Sequence, residues 1–85
     1  MELIIHFTAI PEKLSLDAVK SDLADLLEDD GWLTGSGPEF IELELEDEKV
    51  NPKFAQMAVK AYLQRAQFPQ DTRVELGGME IGVYE

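Results

Sequence analysis

Few side chains in this sequence are equipped for covalent chemistry. His6 is the sole histidine and cysteine is absent, which removes thiolate nucleophiles, thiolate metal sites and disulfide stapling. A Ser-His-Asp arrangement would have to use His6, and no serine sits on a nucleophile-elbow pattern. The abundant reactive group is the carboxylate. Glu42, Glu44 and Glu46 alternate with Ile41, Leu43 and Leu45, so on a β-strand the acids share one face and the apolar residues the other. Neighbouring acids two residues apart lie about 6.5–7 Å apart along the backbone, too spread for an oxygen cage around one ion. The run Glu28-Asp29-Asp30-Gly31 resembles part of a calcium loop. However, aligning Gly31 to the sixth loop position puts Leu26 at the first and Gly37 at the twelfth, which no EF-hand tolerates. Only a weak, nonspecific cation site near Asp29 and Asp30 is left. The sequence therefore predicts a non-enzymatic chain with no catalytic residue, no cofactor and no metal site.

Charge is the stronger lead. The net formal charge is -11, and it is concentrated: between Glu12 and Glu48 thirteen acids face only Lys13 and Lys20, whereas the chain from Lys49 onward is nearly balanced. Such a field repels nucleic-acid phosphates and anionic lipid headgroups and attracts basic partners. The expected role is docking of a basic protein through an acidic sheet face, with Glu42, Glu44, Glu46, His6, Glu75 and Glu80 as the contact residues. The competing explanation is a solvated face that only keeps the sheet soluble. Nucleic acid and membranes are excluded as partners, and a cytoplasmic location is expected from the absence of cysteine, of a signal-peptide pattern and of a long apolar run.

The elements that must position these groups follow from periodicity. Residues 2–9 alternate as a strand with Leu3, Ile5 and Phe7 on one face, and His6 on the other. Ser15 is a good N-cap for a helix over about 16–29, with Leu16, Val19, Leu23, Leu26 and Leu27 on its apolar stripe and Gly31 as a left-handed stop. Trp32-Leu33-Thr34 reads as a short edge strand anchoring a corner, Gly35 to Pro38 as a loop, and Phe40 to Glu46 as the acidic strand. Asn51-Pro52 opens a second helix over about 52–67, with Phe54, Met57, Ala58, Ala61 and Tyr62 as its leading stripe. Ala55, Val59, Leu63 and Ala66 widen that stripe. Alternation on both sides of Gly77-Gly78 predicts a type I′ hairpin that sets Val74 opposite Ile81 and Glu75 opposite Glu80.

Residues 1–85 are thus expected to form a single α+β domain of ferredoxin-like split βαβ plan, β-α-β-β-α-β plus an extra C-terminal strand, an antiparallel sheet with two helices on one face. The first strand and the acidic strand are expected in the centre. Glutamates on the central strands remove the base-stacking surface of single-stranded RNA readers with this topology. The first loop, Ile10 to Leu14, has neither the glycine nor the arginine of an anion cradle. Two further functions stay open: a small-ligand-binding regulatory module with a pocket between the first strand and first helix near Pro11 to Ser15, and a homodimer formed by sheet extension along residues 79–84.

Overall fold

The computed structural model describes residues 1–27, 31–46 and 52–84. It contains β1 (Glu2–His6), α1 (Leu16–Leu27), β2 (Gly31–Ser36), β3 (Phe40–Leu45), α2 (Pro52–Arg65), β4 (Arg73–Leu76) and β5 (Met79–Gly82). The five strands form one sheet in the order β2-β3-β1-β4-β5, and every neighbouring pair is antiparallel. The architecture is α+β. Among the described residues no helix is long and apolar enough to cross a membrane.

The period-two pattern of β3 translates directly into burial. Ile41, Leu43 and Leu45 are buried, while Phe40, Glu42 and Glu44 are half-buried on the other side. Leu3, Ile5 and Val74 join the same buried cluster from β1 and β4, and α1 and α2 supply Val19, Leu23, Leu27, Ala55, Val59 and Leu63. Both helices therefore pack on the apolar side of the sheet. Ser15 caps α1 through its hydroxyl, which accepts from Ala18 N–H at 3.2 Å. The C-terminal end expected for this helix, at 28 and 29, lies outside the described residues, as does Asn51 at the start of α2.

Four expectations are corrected. Gly31 is not a left-handed stop: the only glycines with positive φ among the described residues are Gly77 and Gly78. Gly31 instead begins β2, where a Cβ would sit 2.7 Å from the backbone oxygen of Glu44. The second strand is also longer than Trp32 to Thr34. It continues through Gly35 and Ser36 because a bulge at Thr34, between the pairs Leu33↔Leu43 and Gly35↔Glu42, absorbs one residue. Trp32 does not anchor a buried corner but is 52% exposed. In α2 the leading stripe is displaced: Phe54 and Met57 are exposed, whereas Ala55, Val59 and Leu63 are buried. Two apolar stripes compete on this helix, and the one with small Ala55 lets the backbone approach the core.

The end of α2 uses a device without glycine. Gln67 adopts φ 64°, its N–H donates to Gln64 O at 3.1 Å, and Phe68 N–H donates to Leu63 O at 3.1 Å. This is a Schellman motif. Its apolar closing residue, Phe68, is buried and meets Phe7 edge to face at 5.9 Å. The C-terminal hairpin has the expected register, with Val74↔Ile81, Glu75↔Glu80 and Leu76↔Met79. Its two glycines, at φ 59° and 87°, adopt the backbone that a type I′ turn requires.

Candidate acidic sheet face

The side of the sheet away from the helices is built by register. One cross-strand row reads Gly35, Glu42, Ile4, Glu75, Glu80; the next toward the top of β1 reads Phe40, His6, Arg73, Gly82; and the one below reads Trp32, Glu44, Glu2. Glu42 and Glu75 thus flank Ile4 from opposite sides. Glu44 Oε1 lies 3.2 Å from the Met1 amino group. Glu46 follows the end of β3 and is half-buried. Asp29, Asp30, Asp47 and Glu48, which carry further charge of the same sign, lie outside the described residues.

His6 does not face the acids of β3. Its direct neighbours are Phe40 and Arg73, and its imidazole reaches the diagonal position instead, with Nε2 3.2 Å from Glu75 Oε1. Diagonal pairs across antiparallel strands are within reach of side chains of this length. Glu75 and Glu80, an unfavourable like-charge pair in isolation, are accommodated from both sides: His6 approaches Glu75, and Arg73 Nη1 donates to Glu80 Oε1 at 3.1 Å. The donor atoms of His6, Glu75 and Glu80 all lie within 4.8 Å of one another. The signal for this convergence is the Gly77-Gly78 register, which pairs the two glutamates. The part not legible beforehand is the placement of β4 beside β1, which brings in a histidine sixty-nine positions away.

A shallow depression of about 640 Å³ opens on this face, lined by His6, Thr8, Glu42, Asp71, Arg73 and Glu80 among others. Thr8 Oγ1 donates to both carboxylate oxygens of Asp71, at 3.1 and 3.0 Å, and closes one rim. The site residues expected from the sequence are therefore split into two groups. Glu42 and Glu44 spread along β3, while His6, Glu75 and Glu80 meet across three strands.

A second depression, about 600 Å³, lies between the helices and includes Lys13, Leu14, Asp22, Tyr62 and Arg65. It touches the Pro11-to-Ser15 segment where a ligand pocket was expected, but α1 and α2, rather than β1, form its walls. Tyr62 O–H donates to Asp22 Oδ2 at 2.8 Å. Burial, together with this hydrogen bond and the Asp22 charge, holds the Tyr62 phenol far above its usual range. The hydrogen bond ties α2 to α1.

Comparisons with protein-family models, with curated proteins and with solved structures find no match for this chain.

Proposed function

We propose that this chain is a non-enzymatic ferredoxin-like domain of the split βαβ plan, extended by β5, that docks a basic protein through the open face of its sheet. The strand order with two central antiparallel strands and both helices on the apolar side supports the fold reading. The observation that carries the function is the register. It places Glu2, Glu42, Glu44, Glu75 and Glu80 on one face, and the strand cation among them, Arg73, is engaged by Glu80. Complementary charge across an interface raises the association rate and excludes acidic competitors. Ile4 and Phe40, half-buried amid these carboxylates, offer the apolar centre that a docked chain would cover, with the acids as a polar rim. The location expected for such a partner-binding domain is the cytoplasm.

The test is affinity capture at low salt with the wild-type chain and with the E42K/E44K double variant, followed by a salt step. A basic protein retained by the wild type, released by salt and lost with the double variant supports docking. Retention unaffected by the reversal removes it.

A further inference from the structure

We infer that His6, Glu75 and Glu80 form a binding site for a divalent transition-metal cation, with zinc the best chemical fit. The reason lies in ligand type and convergence rather than in acidity. One imidazole nitrogen and two carboxylates, contributed by three adjacent strands, place their donor atoms within 4.8 Å of one another. A tetrahedral ion with ligand bonds of about 2.0–2.1 Å requires its ligands to be roughly 3.3 Å apart. The His6 Nε2–Glu75 Oε1 separation of 3.2 Å already has that value. Glu80 closes the third position by turning its carboxylate away from Arg73, an exposed ion pair with side chains 61% and 41% accessible, and pairs of that kind hold weakly.

The donor set discriminates among cations. Calcium and magnesium take oxygen ligands and gain nothing from an imidazole, whereas zinc and its neighbours accept nitrogen and carboxylate together. Two carboxylates balance the two positive charges of the ion, so binding also relieves the repulsion between Glu75 and Glu80, which are directly opposed in the β4–β5 ladder. Three protein ligands leave a fourth position. His6 and Glu80 also line the depression on the same face, so that fourth position is reached from solvent, by water or by a ligating side chain of another molecule.

The inference is independent of the docking reading and is tested with the metal alone. The full chain is titrated with zinc chloride near neutral pH, by calorimetry and by NMR of the His6 ring. The expected result is one zinc per chain, displacement of the His6 ring resonances, and affinity lower by about tenfold or more in His6→Ala and in Glu75→Gln, comparable to or larger than losses seen for groups that merely orient metal ligands. Asp17→Asn, in the first turn of α1 and outside the open face of the sheet, should bind as the wild type does. Glu75→Gln keeps the size of the side chain, and circular dichroism verifies its fold. Zinc binding that does not saturate, that survives His6→Ala and Glu75→Gln unchanged, or that calcium chloride matches in strength would overturn the inference.

Discussion

Leu43 and Glu44 are adjacent in the chain and belong to opposite worlds. On the helix side of the sheet, three side-chain hydrogen bonds tie elements together, Tyr62 to Asp22, Gln64 Nε2 to Val83 O at 2.6 Å, and Tyr84 O–H to Phe68 O at 2.6 Å, while the buried Thr72 hydroxyl has no partner among the described residues. On the open side, carboxylates outnumber the cations that could answer them, and they differ in how they are arranged. Along β3 the acids are dispersed by the strand repeat, whereas across β1, β4 and β5 register gathers two acids and an imidazole into one cluster. The same residue type thus makes a diffuse field in one place and a compact cluster in the other. Sequence spacing alone reports only the first arrangement.

The contrast between the two sides is broken most severely by Leu43→Asp. Leu43 is fully buried, and an unpaired charge in that position should cost more than about 4 kcal/mol. An 85-residue domain has a total stability of only about 4–13 kcal/mol, so loss of the cooperative unfolding transition in circular dichroism is the expected result. Gly31→Ala comes next. Its new Cβ would press on the Glu44 carbonyl across the β2–β3 pairing, and urea denaturation should show a loss of about 1–3 kcal/mol, as for other overpacked sites.

Tyr62→Phe removes the tie between the helices and should cost about 1 kcal/mol at neutral pH. Its pH dependence has a definite sign. The folded-state pKa of Tyr62 is raised, so the stability it contributes is fully present below the unfolded value of about 10 and declines as pH rises above it. The difference between wild type and Tyr62→Phe should therefore shrink in alkaline urea titrations; a difference that stays constant or grows above that pH would contradict the assignment. The smallest effect belongs to Glu44→Lys, which should change stability by no more than about 0.5 kcal/mol while altering the charge of the open face.

Much of this architecture is legible from residue types. Alternation in 2–9 and 40–46 gives strands with the correct inward faces, although the first ends at His6 rather than at residue 9 and the second at Leu45; Ser15 gives the start of α1, and Gly77-Gly78 gives the hairpin with its register. What escapes the reading is where two local solutions are equally good. Either apolar stripe of α2 could face the core, and only packing selects Ala55, Val59 and Leu63 over Phe54 and Met57. Gly31 reads as a helix stop because glycine suits left-handed backbone, yet the residue serves close strand approach. Gln67 takes a left-handed conformation that composition assigns to glycine or asparagine. In the site, all six expected residues lie among the described ones, but the grouping of His6 with Glu75 instead of with Glu42 or Glu44 depends on the neighbour relations of strands far apart in the chain.

In the proposed docking, a basic partner is received by the open face of the sheet and not by acidity in general. Adding a short oligo-arginine peptide to the isotopically labelled chain and mapping amide NMR shifts at low and at high salt separates the two. Salt-sensitive shifts concentrated on β1, β3, β4 and β5 around Ile4, His6, Glu42 and Glu75 are expected. Shifts of equal size at Asp17, Asp22 and Asp25 on α1 would contradict it, because the peptide would then be reading net charge alone.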